Sequence, residues 1–193
     1  MSRHHGGVLL ILVSALGFGA MAIFAKLAYD HGAGAATLLT LRFLLAALVL
    51  WAIVAVRRRP RPDRRTVVAG AGLGLFGYSV QAGCYFAALH HLDASLTALL
   101  LYVYPALVFL GAVVLGRDHA DRRRMIALLL ATGGAVLVLA GSGTGDLDAL
   151  GVALGLGAVF AYAIYILVVH SVTRGIEPFL LSALIATGAA TTL

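Results

Sequence analysis

Charge is what this chain has least of. Only 11% of its 193 residues are Asp, Glu, Lys or Arg, whereas a soluble domain carries about 25%. All eight acids (Asp30, Asp63, Asp93, Asp118, Asp121, Asp146, Asp148 and Glu177) fall in linkers or at the ends of apolar runs. Cysteine is nearly absent too. The single Cys84 excludes an intrachain disulfide and a multi-thiolate metal site. No GxxxxGK[ST] phosphate loop occurs and no soluble domain is left to hold ATP, which excludes an ATP-driven pump for this chain by itself. Paired intramembrane carboxylates, a Ser/His pair and a clustered metal site are lacking as well, which disfavours a membrane-embedded enzyme.

Apolar residues fill the space that charge leaves. They make up 62% of the sequence, and the mean hydropathy is +1.01. A bilayer core of about 30 Å requires about 20 apolar residues from a helix rising about 1.5 Å per residue. The length therefore bounds the chain at about six or seven spans. Predicted helices cover 7–28, 35–56, 67–89, 95–116, 125–140 and 150–170, and a seventh apolar run occupies 179–193. That last run has 15 residues, short of a full crossing, so the chain is expected to be a fragment or a truncated product of a longer protein. Ala20-Met21-Ala22 resembles a signal-peptide cleavage site, but an uncleaved first helix fits the series of spans.

The formal charge of +6 reflects topology and not a nucleic-acid face. One base precedes the first span, six follow the second (Arg57, Arg58, Arg59, Arg61, Arg64, Arg65), four follow the fourth (Arg117, Arg122, Arg123, Arg124) and Arg174 follows the sixth. Those 12 lie on one side, while the opposite linkers 29–34, 90–94 and 141–149 carry no Lys or Arg. Basic loops stay cytoplasmic, which predicts a multi-pass protein of the cell (plasma or inner) membrane with its amino terminus inside.

Small and polar residues concentrate between Gly70 and Pro105. Gly70, Gly74, Gly77, Gln81 and Tyr85 recur at helical spacing and are expected on one face. Gly70-x-x-x-Gly74, Gly77 and Gly151-x-x-x-Gly155 are predicted helix-packing sites, and Pro105 a kink in the fourth helix. Arg42 lies about 12 Å below the outer surface. At such depth an arginine costs about 2.5 to 3.5 kcal/mol, so it is expected to face the interior with a partner, either anchoring an anionic group such as a carboxylate or phosphate or serving structurally, by hydrogen-bonding helix-end carbonyls or snorkelling outward. Lys26 is read as snorkelling or lining an outer vestibule. The His90, His91, Asp93 cluster is an interfacial turn and a poor metal site; no metal and no cofactor are expected.

Offset by 144 residues, the first helix matches the sixth: Gly7 with Gly151, Val8 with Val152, Leu10 with Leu154, Phe18 with Tyr162. A five-helix repeat inverts automatically in the membrane, an architecture with its site near the midplane. Ser14, Phe18 and Met21 then correspond to Ala158, Tyr162 and Tyr165. The candidate cavity residues are Arg42, Gln81, Tyr78, Tyr85, Tyr102, Tyr162, Tyr165 and Ser14, with Tyr104 a further amphipathic side chain at depth.

The glycine-led first helix ending in Lys26, LRFLLAAL at 41–48, YFAALHHLDASLTALLLYVYPALVFLGAVVLG at 85–116, ATGGAVLVL at 131–139 and the restart at Gly151 with AVFAYAIY resemble EamA-domain transporters of the drug/metabolite transporter superfamily. The resemblance implies an all-α polytopic protein of two inverted five-helix repeats, ten helices when complete, with six complete and one partial here. Residues 1–140 would be the first repeat and 141–193 the start of the second. Family members often carry a glutamate after the glycine ending the fourth helix, where Arg117 and Asp118 stand here. The function implied is export of small polar, amino-acid-like metabolites by alternating access. A non-transporting scaffold or regulatory subunit is the alternative if the chain truly ends at 193. Lacking a buried acid, the chain has its coupling group elsewhere, uses a histidine or tyrosine, or is an exchanger or facilitator. The partners expected are the bilayer, a small-molecule substrate and, as an open option, a homodimer mate, but no nucleic acid.

Overall fold

The computed structural model describes residues 3–57, 62–119, 121–141, 148–173 and 175–192. Arg58, Arg59, Arg61 and Arg174 of the basic linkers, and Asp146 of the linker 141–149, lie outside the described residues. Within them the chain is helical and without strands. The helices are α1 (Arg3–Asp30), α2 (Ala35–Val56), α3 (Arg64–His91), α4 (Ala94–Val114), α5 (Arg122–Gly141), α6 (Ala149–Val172) and α7 (Pro178–Ala190). Five of these, α1 to α4 and α6, are long and apolar enough to cross a membrane. The protein is a polytopic membrane protein.

Three of the scarce acids start helices. Asp63 Oδ1 accepts from the Thr66 N–H at 3.2 Å to open α3, and Asp148 Oδ1 accepts from Leu150 N–H at 2.8 Å to open α6. Glu177 Oε2 accepts from Leu180 N–H at 2.9 Å, with Pro178 in the first turn of α7. Each carboxylate satisfies an orphan donor and sits at the positive end of a helix dipole. The acids stay out of the spans and do structural work at their ends.

Two helices depart from regular α geometry. Residues Leu73–Tyr78 form a π segment within α3, closed where both the Ser79 N–H and the Ser79 Oγ, at 2.8 Å, donate to the Gly74 carbonyl. A π segment accommodates an extra residue per turn, which corrects the expectation of one continuous stripe. Gly70 and Gly74 face α7, Gly77 faces Tyr165 of α6, and Gln81 with Tyr85 face a cavity. In α4 the helix breaks at Tyr102 and Val103, and Pro105 sits in the first turn of the second half, where its fixed φ is tolerated and its missing donor is not needed.

Packing partners reveal chain direction. Trp51 Nε1 donates to Thr187 Oγ1 at 3.0 Å and Arg57 pairs with Glu177 at 3.8 Å, so α2 and α7 are antiparallel. Gly77 lies under Tyr165 and Gly151 under His91, so α3 and α6 are antiparallel too. Gly70 against Leu184 and Gly74 against Ile185 make α3 and α7 parallel; Leu100 on Gly155 and Leu167 on Gly111 do the same for α4 and α6. Helices of odd and even number among these five therefore run in opposite senses, as alternating spans must.

Lipid tails are as apolar as leucine, so close packing and not hydrophobic burial must hold such helices together. Small residues let them approach. A Cβ on Gly151 would lie 2.6 Å from His91 Cβ, and one on Gly155 would lie 2.8 Å from Leu100 Cδ1. The core between α1, α2, α3 and α6 is built from Phe86, Leu39, Leu89 and Val159 with Ala22, Ala25 and Ala158. Ala20-Met21-Ala22 is continuous helix, and Ala22 is buried in that core. Large apolar side chains such as Leu16, Leu45 and Leu48 point outward, toward where lipid would lie.

Candidate functional site

Helices α1, α3, α4 and α6 line an open cavity of about 500 Å³. Ser14 and Phe18 of α1, Tyr85 of α3, Tyr102 and Tyr104 of α4 and Tyr162 of α6 line it. The break in α4 is what presents its two tyrosines. Tyr104 then meets Tyr162 edge-on with ring centroids 4.6 Å apart, while Tyr102 is the more exposed of the pair, at 66%. The wall is aromatic with hydroxyl tips, a surface that accommodates apolar bodies and hydrogen-bonds polar groups.

A second, much smaller chamber of about 10 Å³ lies behind it, lined by Met21, Arg42, Tyr78, Gln81 and Phe86 among others. Phe18, Tyr85 and Tyr162 line both spaces and so form the partition between them. The π segment ends just before Ser79, one turn ahead of Gln81 and Tyr85 in the same helix.

Arg42 is half-buried. It donates through Nη2 to the Tyr78 hydroxyl at a long 3.4 Å, with its guanidinium carbon 5.5 Å from the Phe43 ring and 5.8 Å from Phe86, near the outer limit for a cation–π attraction. The ion pairs among the described residues are Arg57–Glu177, His91–Asp148 and Arg124–Asp118. None reaches Arg42. Its partner is a hydroxyl, not an acid.

Of the eight cavity residues expected from sequence, Ser14, Tyr85, Tyr102 and Tyr162 line the larger cavity, and Arg42, Tyr78 and Gln81 line the chamber, which Tyr85 and Tyr162 share. Tyr165 lines neither. It covers Gly77 and stands with ring centroids 5.5 Å from Tyr78 and 6.2 Å from Tyr162, beside an outer groove with Phe76 and Val80. Ile11, Ala98, Leu101 and Phe86 carry walls that sequence reasoning missed. An apolar residue in an apolar span carries no signal that separates lining from lipid contact.

At the other end of the site the α3–α4 turn is tied to its neighbours. His91 Nδ1 lies 2.6 Å from Asp148 Oδ2, and His90 stacks on Tyr29 at 3.8 Å. The Leu150 N–H, and after it the His91 hydrogen bond, hold the Asp148 carboxyl below the usual carboxylate range. No group of three metal-ligating side chains occurs among the described residues.

The profile of the EamA-like transporter family matches residues 5–140. A curated relative, the uncharacterized transporter YcbK of Bacillus subtilis (strain 168), is 29% identical over 138 residues. The alignment takes in 70% of this chain and 44% of the relative, so the chain spans less than half the length of the curated relative it matches. No solved structure matches it. The matched region runs from α1 through α5 and contains Arg42, Gln81 and the break in α4; over more than two thirds of its length, then, this chain belongs to the EamA-like transporter family.

Proposed function

We propose that this membrane transporter carries small polar, amino-acid-like metabolites outward by alternating access, and that Arg42 anchors an anionic group of the substrate such as a carboxylate. The observation that carries this reading is Arg42 itself, a cation within a span with no acidic partner among the described residues. A charge in that position is retained at a cost, and an intramembrane charge facing a cavity marks a substrate path. The tyrosine-lined cavity of about 500 Å³ falls within the range of small-molecule sites.

Residues 1–140 serve in this reading as one five-helix repeat and 141–193 as the start of a second, inverted one. In its favour, Phe18 and Tyr162, which the 144-residue offset pairs, line both spaces from α1 and α6. The amino terminus lies in the cytoplasm of a cell-membrane protein, on the argument from basic linkers. The test is metabolite profiling of cells overproducing the full-length protein, native or with Arg42→Gln. The native protein should deplete an anionic, amino-acid-like metabolite inside and enrich it outside, while Arg42→Gln inserts normally and abolishes the difference. Undiminished flux through a well-folded Arg42→Gln protein would sink the assignment.

A further inference from the structure

Two grooves run end to end along the seam between α3 and α6, on a face that shares no residue with the cavity or the chamber. The deeper one, of about 430 Å³, is walled by Phe76 and Val80 of α3 and by Ile164 and Val168 of α6. Gly72 leaves it open, since nothing lies within 4 Å of a Cβ placed there. Nearer the arginine-rich end follows a groove of about 370 Å³, lined by Arg65 and Thr66 of α3 and by Ser171 and Gly175 at and beyond the end of α6. Ala69 of this groove lies about one turn from Gly72 of the other, and Ser171 about one turn from Val168. The seam is therefore apolar at membrane depth and polar at its basic end. From Arg65 to Val80 it extends about 22 Å, about half of the 40–45 Å that a bilayer spans with its headgroups.

We propose that this seam holds one anionic phospholipid, phosphatidylglycerol, from the leaflet on the arginine side, with its phosphate on Arg65 and an acyl chain between Phe76 and Val168. Charge selects the headgroup. Arg57 and Arg124 have ion-pair partners and Arg117 Nη1 donates to the Leu167 carbonyl at 2.8 Å, whereas Arg65 forms no ion pair among the described residues. Asp63, the acid closest to it in sequence, is turned to the Thr66 N–H and lines neither groove. A phosphate gives the guanidinium a bidentate partner, and basic pockets between spans hold anionic headgroups in this way. The Ser171 hydroxyl donates to the Val168 carbonyl at 2.9 Å, so its lone pairs remain to accept from a glycerol hydroxyl. A choline headgroup brings no such donor and sets a second cation beside Arg65. The site is independent of what the cavity carries.

The test is native mass spectrometry of the full-length protein released from nanodiscs of phosphatidylglycerol and phosphatidylcholine in equal amounts, where the mass of a retained adduct identifies the lipid. One phosphatidylglycerol should stay bound in preference to phosphatidylcholine. Arg65→Gln should lower that preference about fivefold. Gly72→Leu, which fills the groove and favours the helix, should remove the adduct from a protein that still folds. Arg64→Gln takes away the same charge from a residue that lines neither groove, and it should keep the preference. In the native protein, phosphatidylglycerol with a diazirine in its acyl chain should crosslink to peptides from 72–80 and 161–168, a readout that stands if a variant misfolds. Equal retention of the two lipids would overturn the proposal, as would equal losses in Arg65→Gln and Arg64→Gln or an adduct undiminished in Gly72→Leu. A crosslink that maps elsewhere would overturn it too, and would mean that another span or a partner protein covers the seam.

Discussion

Gly74 and Gly83 both lie on α3, but only one of them has a neighbour. A Cβ on Gly74 would strike the Ile185 carbonyl oxygen, and one on Gly188 would strike the Ala71 carbonyl from the other side. There α3 and α7 touch backbone to backbone. Nothing lies within 4 Å of a Cβ on Gly83. Gly74→Ala should therefore destabilise the protein by about 1–3 kcal/mol, because neither backbone can yield as a side chain would. Gly83→Ala should be neutral or stabilise by up to about 1 kcal/mol through helix propensity. Denaturant unfolding in detergent compares the two, and equal losses would refute the contact. Residues differ just as sharply in how readable they are. Arg42 and Gln81 stand out as polar groups in apolar runs, so sequence alone nominated them. Phe86 and Leu101 are chemically the same as the lipid-facing leucines around them, and only their place in the packing distinguishes them. Tyr165 was nominated for its chemistry but fills the gap over Gly77.

At the scale of the element, helix existence and extent were legible because hydropathy accumulates over about 20 residues. Irregularities within a helix were not. Nothing local in LGLFGY announces a π segment; it is held by Ser79 against the Gly74 carbonyl and by a Ser79 to Thr192 contact at 3.2 Å, the latter across more than a hundred residues of sequence. The segment makes its own prediction. Phe76 is 70% exposed, and deleting it should remove the extra residue and convert the π segment to α-helix while leaving Gln81 and Tyr85 on their present face, so flux should survive. An alanine inserted after Ser79 should instead turn Gln81 and Tyr85 by about 100° and abolish flux in a protein that still inserts and extracts as a folded species. Retained flux in the insertion variant would mean that the register of this half of α3 does not matter. Pro105 was legible as an interruption, although the structure puts the break just before it, at Tyr102 and Val103.

For the whole molecule, the alternating sense of α2, α3, α4, α6 and α7 agrees with the one-sided distribution of arginines, and the linkers on each side can be addressed chemically. Asp93 and His119 are exposed and lie in linkers assigned to opposite faces. In a Cys84→Ala background, a membrane-impermeant maleimide applied to intact cells should label the Asp93→Cys variant and spare His119→Cys until the membrane is opened. The reverse pattern would invert the orientation.

Sequence by itself determined that this is a polytopic helical membrane protein, where its helices begin and end to within a few residues, and that its arginines gather in alternate linkers. These properties are local: about 20 apolar residues or a cluster of bases carry them without reference to the rest of the chain. Only the tertiary structure decided which polar groups meet. Whether Gln81 faces Arg42 or lipid depends on the rotation of α3, and that rotation is set by glycines pressed against α6 and α7, segments about a hundred residues away.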